Sequence, residues 1–168
     1  MIEKFKTLFF VKSSLISLYL ALTIPIPFIS NDQLKIISII TFILGLYLII
    51  SITSDHVETC NNKISYKNSF ICKTLGRKNW EISWKDIKLI KSLPTSQDSK
   101  VYYFITNKGE NFLIPQRIEN FEKFLSIVSK KTGIDIDEVT YISPLWTYKL
   151  LTLMSVLMII GEIFAFLN

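Results

Sequence analysis

The stretch that decides the fold lies at residues 34–52 and reads LKIISIITFILGLYLIISI. This block carries no charged side chain after Lys35. An α-helix needs about 20 consecutive apolar residues to cross the roughly 30 Å hydrocarbon core of a bilayer. The block therefore predicts a transmembrane helix and an integral membrane protein.

Two further apolar blocks flank this one in the chain of 168 residues. Residues 8–29 are interrupted early by Lys12, and residues 145–167 follow Pro144, which suits the first turn of a helix. Because only the polar residues 30–33 separate the first two blocks, their helices are predicted to form an antiparallel hairpin. The predicted transmembrane helices are thus residues 8–29, 34–52 and 145–167.

The positive charges predict an orientation for these helices. The formal net charge is +5, and cytoplasmic segments beside transmembrane helices carry an excess of Lys and Arg. Lys4, Lys6 and Lys12 precede or enter the first helix, whereas Asp32 and Lys35 nearly cancel in the hairpin link. The N-terminus and the middle of the chain are therefore predicted to be cytoplasmic, with the C-terminus on the opposite side of a plasma or thylakoid membrane. No Lys/Arg run with interleaved aromatics indicates a nucleic-acid partner.

Residues 54–143 are predicted to form a separate cytoplasmic β domain. Short runs of alternating β-branched and aromatic residues, the pattern of strands, are separated by turn residues. These runs include Ile64 and Tyr66; Phe70, Cys72 and Thr74; Trp80, Ile82 and Trp84; and Val101, Tyr103 and Ile105. An amphipathic helix follows at residues 120–132, with Asn120 as its N-cap and Gly133 as its stop. The predicted fold class is α+β, an antiparallel β domain closed by one helix and flanked by transmembrane helices.

The middle domain resembles a known class of domains. The order Trp80-x-x-x-Trp84-x-Asp86-Ile87, a strand, and a final helix beginning near Glu119-Asn120-Phe121 is similar to that of membrane-tethered bacterial pleckstrin-homology-like (PH-like) domains. This resemblance covers roughly residues 55–134 and implies a PH-like fold.

The layout of the whole chain resembles a small cyanobacterial membrane-protein family of unassigned function. The stretches that carry this likeness are residues 18–25, LYLALTIP; residues 101–106, VYYFIT; and residues 144–148, PLWTY. A chloroplast-type photosystem I assembly factor likewise pairs two N-terminal helices with a β-rich domain. The present chain departs from that factor by its third predicted span.

The candidate contact residues lie around one predicted hairpin tip and the strand after it. Lys73, Arg77 and Lys78 cluster at the tip. Eukaryotic PH domains bind phosphoinositides with basic residues at such a tip, so the resemblance implies lipid contact at these three positions, here with anionic lipid in general. Trp80 and Trp84 are predicted to share one strand face, either as core aromatics or as a contact for lipid or a partner.

The sequence shows no recognisable catalytic constellation. The one histidine, His56, has no nucleophile or metal-ligand partner nearby in the sequence, and the glycines form no phosphate-binding loop. Cys60 and Cys72 lack metal or redox spacing and are predicted to be free thiols. No enzyme activity, cofactor or metal is therefore expected. Glu162, inside the third span, is either a functional intramembrane carboxyl or an interfacial one.

These observations favour a non-enzymatic membrane scaffold that presents a PH-like domain at the cytoplasmic face. Its expected partners are the lipid bilayer, a membrane protein and anionic lipid, and one concrete role is the assembly of photosystems or other membrane-protein complexes. The alternative is a small subunit of a transporter or channel complex.

Overall fold

The computed structural model describes residues 2–96 and 99–167 and divides the chain into two compact units. The β unit combines the described N-terminal residues up to Leu8 with Ser54–Ser143. The helical unit combines Phe9–Thr53 with the chain from Pro144 onward. The α+β prediction is confirmed, because the chain contains two antiparallel sheets as well as long helices.

Three helical segments of the helical unit are long and apolar enough to cross a membrane. They comprise α1 (Phe9–Thr23) with α2 (Pro25–Ile29), then α3 (Asp32–Ile52), and finally α6 (Leu145–Leu167). The first segment is broken at Ile24, since Pro25 and Pro27 have no N–H to donate to the preceding turn.

Small side chains allow helices α1 and α6 to pack closely. Ser14, Ala21 and Ser155 are almost completely buried. The hydroxyls of the two serines donate to carbonyls of their own helices. Close approach over small residues is the usual packing mode of membrane helices. Helices α1 and α3 are joined differently, by the Tyr19 hydroxyl, which donates to the Phe42 carbonyl at 2.7 Å.

The β unit contains a four-stranded and a three-stranded antiparallel sheet. The first sheet has the order β1 (Glu3–Lys6), β2 (His56–Thr59), β3 (Lys63–Lys67) and β4 (Trp80–Ser83). The second has the order β5 (Ile87–Pro94), β6 (Lys100–Thr106) and β7 (Asn111–Leu113). The remaining elements are α4 (Phe70–Thr74), a 3₁₀ turn at Trp84–Asp86, and α5 (Phe121–Thr132).

The N-terminal strand is an unexpected member of the β unit. The prediction placed this unit at residues 54–143, but Phe5 pairs with Val57 and is only 3% exposed. Its ring contacts Phe124 of α5, with centroids 5.6 Å apart. Helices α1, α2 and α3 are therefore an insertion between the first two strands of the β unit.

Helix α5 covers the core that both sheets share. Its buried stripe is Phe121, Phe124, Leu125 and Val128, as the spacing predicts. Gly133, with φ 71°, ends the helix in the left-handed conformation that glycine tolerates. Asn120 precedes the helix, but it is itself left-handed and its side chain makes no cap hydrogen bond, so the predicted N-cap interaction is wrong.

Two segments that were predicted as strand have another conformation. Residues 70–74 form helix α4, because the Ser69 hydroxyl accepts a hydrogen bond from the Cys72 amide at 3.4 Å and so caps a helical turn. Trp84 lies in the 3₁₀ turn that follows β4, so it does not share a strand face with Trp80. Alternating apolar residues in short segments fit both a strand and a buried turn.

Candidate functional site

Three strand ends lie in one row at one end of the four-stranded sheet. Lys6 pairs with His56, and His56 pairs with Lys67. We call the sheet end formed by Lys6, His56 and Lys67 the connection edge. The chain leaves the β unit just after this row, at Leu8, and returns just before it, at Ser54.

The third chain connection between the two units, which follows Ser143, starts beside the same edge. Thr7 forms a β-bridge with Ile118, and the Leu8 amide donates to the Arg117 carbonyl at 2.8 Å. These contacts bring the start of α5 to the connection edge. Tyr141, near the last residue of the unit, packs against Phe121 with ring centroids 5.0 Å apart. All three passages therefore lie beside the connection edge.

A loop closed at its base projects from the connection edge between β3 and β4. We call residues 68–79, which include α4, the α4 loop. The Asn68 amide donates to the Asn79 side-chain carbonyl at 2.9 Å, and the Asn68 side chain donates to the Lys78 carbonyl at 2.8 Å. These hydrogen bonds join the first and last residues of the loop.

The buried carboxylate of Asp55 attaches the α4 loop to the sheet. Its two oxygens accept from the Ser69 amide at 2.7 Å and from the Tyr66 hydroxyl at 3.1 Å. Burial, and then the nearby Asp55 charge, raise the pKa of Tyr66, so its hydroxyl remains a hydrogen-bond donor. Arg77 approaches the same carboxylate at 4.0 Å. The position of the loop is thus determined by side-chain contacts as well as by the backbone.

The three basic residues predicted as contacts all lie on the α4 loop and are exposed. Lys73 belongs to α4 itself, and Arg77 and Lys78 follow it. Lys73 and Lys78 form no ion pair with any residue that the structure describes. The structure therefore brings these three cations together on one short, exposed segment.

Of the two tryptophans predicted as core aromatics or as contacts, Trp84 lies in the core and Trp80 packs against it. Trp84 is 4% exposed, and its indole N–H donates to the Cys60 carbonyl at 2.9 Å. Trp80 is half-buried and stacks on Tyr66, with ring centroids 5.8 Å apart. The packing of both residues agrees with the first of the two alternatives raised from the sequence, that they are core aromatics.

Sequence reasoning missed two apolar residues on the α4 loop. Phe70 is 79% exposed and Leu75 is 69% exposed, whereas Cys72 between them is buried. The alternation of Phe70, Cys72 and Thr74 predicts a strand, which would place the Phe70 side chain on a sheet face. The Ser69 cap and the high density of cations in residues 73–78 were the available signals of an exposed helical turn.

A cluster of charges holds β1 in the sheet next to the connection edge. The Glu58 carboxylate, whose side chain is 13% exposed, lies 2.8 Å from Lys4 of β1 and 2.8 Å from Lys67 of β3. Hydrogen bonds from Lys4 and then Lys67 lower the pKa of Glu58 from 4.5 to about 2. The imidazole of His56 lies 3.4 Å from the same carboxylate.

Replacing Glu58 with Gln is expected to remove a pH-dependent contribution to stability. Because the pKa of Glu58 is lower in the folded than in the unfolded protein, its carboxylate stabilises the fold above pH 4.5, and this effect is lost as the pH falls toward 2. The difference in Tm between wild type and Glu58→Gln should therefore be largest near neutral pH and shrink in acid. Glu122→Gln, an exposed change on α5, is the control and should show a small difference at every pH. An equal Tm difference at pH 7 and pH 3 would contradict the expectation.

Among the described residues, no group of three His, Cys, Asp or Glu side chains is placed to hold a metal ion. Cys60 and Cys72 are both free thiols, the first partly exposed and the second buried. His56 lies in β2 beside Glu58.

Comparison with known proteins identifies a relative. The chain is 31% identical over 154 residues to the "Uncharacterized protein slr0269" of Synechocystis, and the match covers 88% of this chain and 77% of the relative. The chain belongs to the family of that protein. Because 88% of the chain is matched, the family relationship includes both the helical and the β unit. The likeness to a cyanobacterial protein family is thereby confirmed. No established family model matches the sequence.

Proposed function

We propose that the protein is a non-enzymatic, membrane-anchored interaction protein whose β unit is a PH-like domain. Two antiparallel sheets with α5 as the last element of the β unit support this proposal, because the PH-like resemblance rests on a β domain that ends in a helix. The three long apolar segments would cross the bilayer. Assembly of photosystems or other membrane-protein complexes is one concrete role, and the cyanobacterial relative supports that setting.

The observation that carries this proposal is an apolar surface on the three-stranded sheet. Cross-strand pairs there are Leu89 with Ile105, Leu93 with Val101, and Leu113 with Tyr103. We call these six residues the outer sheet face. They point away from the core, because the alternate residues of β6, namely Tyr102, Phe104 and Thr106, are buried.

An exposed apolar sheet face is suited to binding another protein. Antiparallel sheets with one solvated face are usually polar on that face. Here Leu89, Leu93 and Leu113 are each 40–49% exposed, and contiguous apolar surface of this kind marks interaction sites. Lys91 lies among them, opposite Tyr103. The partner that fits is therefore an apolar protein surface carrying an acidic group.

The passages at the connection edge support anchoring of the β unit beside the bilayer. The helices α1, α3 and α6 begin or end within about two residues of Leu8, Ser54 and Ser143. Three such short links would hold the domain at the membrane and raise its effective concentration toward membrane-bound partners. The cations before α1 favour a cytoplasmic β unit with the C-terminus opposite. The test uses a reporter enzyme that works only outside the cytoplasm, fused at Ser96. Activity of this fusion would contradict the proposed orientation.

Placing charges on the outer sheet face is expected to weaken the binding of the protein partner. Leu89→Glu with Leu113→Glu places two carboxylates on an apolar contact, so at least a tenfold loss of the co-purified partner is expected. The measurement is purification of the tagged full chain from its host in mild detergent, with the stoichiometry of the complex read by mass. Lys130→Glu, an exposed charge change on α5, is the control and should retain the partner. A stoichiometric complex that survives the double substitution would contradict the proposal.

A small subunit of a transporter or channel complex is the second candidate, and Glu162 is the observation that favours it. One carboxyl oxygen of Glu162 is buried and has no hydrogen-bond partner among the described residues. It lies two helical turns after the buried Ser155, on the same face of α6. Intramembrane carboxyl groups often serve transport. A pure homo-oligomer in the same purification would favour this candidate over the scaffold.

A further inference from the structure

The α4 loop exposes apolar side chains more than the rest of the β unit does. Phe70 and Leu75 are 79% and 69% exposed. Among the other described large hydrophobic residues of this unit, only Ile2 is more than half exposed. We call these two exposed side chains of the α4 loop the apolar tip.

This exposure belongs to a well-anchored loop. The Asn68–Asn79 hydrogen bonds close its base, and Asp55 holds the Ser69 amide. Cys72 is 1% exposed and faces the unit, and Phe70, two positions before it in α4, lies on the opposite side of that helical turn. The apolar tip is thus presented by specific contacts of the fold.

The charged residues of the α4 loop itself are all basic, and the nearby Asp55 carboxylate is buried at the base of the loop. Residues 68–79 contain Lys73, Arg77 and Lys78 and no Asp or Glu. Apolar side chains interleaved with Lys and Arg are the composition of segments that lie in the interface of an anionic bilayer. A water-facing loop would gain nothing from exposing Phe and Leu.

We propose that the α4 loop inserts Phe70 and Leu75 into the headgroup region of the leaflet, while Lys73, Arg77 and Lys78 contact anionic lipid headgroups. The inference rests on the proposed membrane anchoring. The loop leaves the sheet at the connection edge, the same end of the β unit at which the chain continues into its apolar helices. This surface is separate from the outer sheet face, which is left to a protein partner.

A fluorescent label at the tip tests the proposal in the full-length protein. Phe70→Cys is labelled with an environment-sensitive NBD dye after Cys60→Ser and Cys72→Ala remove the native thiols. The protein is placed in nanodiscs of phosphatidylcholine, with or without phosphatidylglycerol, and with doxyl-labelled lipid as a shallow quencher. The matched control is Asn61→Cys, an exposed turn residue at the opposite end of the same sheet.

The label at residue 70 is expected to emit at shorter wavelength than the label at residue 61 and to lose about twofold or more intensity to doxyl lipid in anionic discs. Lys73→Glu, Arg77→Glu and Lys78→Glu together should reduce this quenching in anionic discs and leave the control label unchanged. Equal emission and quenching at residues 70 and 61 would overturn the insertion. Equal quenching in neutral and anionic discs would overturn the headgroup contact. Neither of these two outcomes would contradict the proposed membrane-anchored scaffold, because residues 61 and 70 lie outside the apolar helices and the outer sheet face.

Discussion

A fragment of residues 54–143 is expected to be unfolded, whereas the same fragment with residues 2–8 joined to its N-terminus is expected to fold. Without β1, strand β2 loses one of its two neighbouring strands and the core loses Phe5, which is 3% exposed. Burying one Phe side chain contributes about 1.5–3 kcal/mol, and the pairing of β1 adds backbone hydrogen bonds. A small domain is stable by only about 5–15 kcal/mol, so these losses are a large share of its stability.

The joined fragment can be made with a short Gly/Ser linker from Leu8 to Ser54. The Thr7 hydroxyl donates to the Asp55 carbonyl at 3.0 Å, so the two chain ends are already close. Folding is measured by circular dichroism and by the cooperativity of thermal unfolding. Glu3→Gln, a partly exposed change in β1, is the control within the joined fragment and should melt cooperatively. A 54–143 fragment that melts as cooperatively as the joined fragment would show that β1 is dispensable.

Phe124→Ala is expected to lower the free energy of unfolding of the β unit by about 3–5 kcal/mol. Phe124 is completely buried, and its ring contacts those of Phe5 at 5.6 Å and Phe121 at 6.0 Å between centroids. The substitution removes the α5 ring that packs against β1 and leaves a cavity between the two elements. Denaturant unfolding of the joined fragment measures the change.

The matched control for Phe124→Ala is Glu122→Ala, two residues earlier on the exposed side of α5. Surface changes of this kind usually alter the free energy of unfolding by about 0.5 kcal/mol or less. If Phe124→Ala cost less than about 1 kcal/mol, the apolar stripe of α5 could not be the part of the core that the structure shows.

Much of the candidate site could be predicted because its charges are neighbours in the chain. Lys73, Arg77 and Lys78 lie within six positions, so any compact conformation of that segment brings them together. The exposure of Phe70 could not be predicted, because an apolar residue beside Ile71 and Cys72 fits a buried strand equally well. The conformation that exposes Phe70 depends on Asp55, which binds the Ser69 amide from 14 positions away, and on Asn79, which binds the Asn68 amide from 11 positions away.

The sequence by itself determined the features that depend on long, regular local patterns. The apolar blocks specify three long helices because each is continuous over many turns, and the spacing of Phe121, Phe124, Leu125 and Val128 specifies α5 because four residues share one period.

Only the tertiary structure decided that the domain is discontinuous and where its surfaces lie. Strand β1 has four residues, too few for a periodic signal, and it becomes a strand by pairing with residues some fifty positions later, across the whole helical insertion. The outer sheet face likewise depends on the register that sets Leu89 beside Ile105 and Tyr103 beside Leu113. Such long-range pairings are determined by the burial of a common core, so local residue patterns do not predict them.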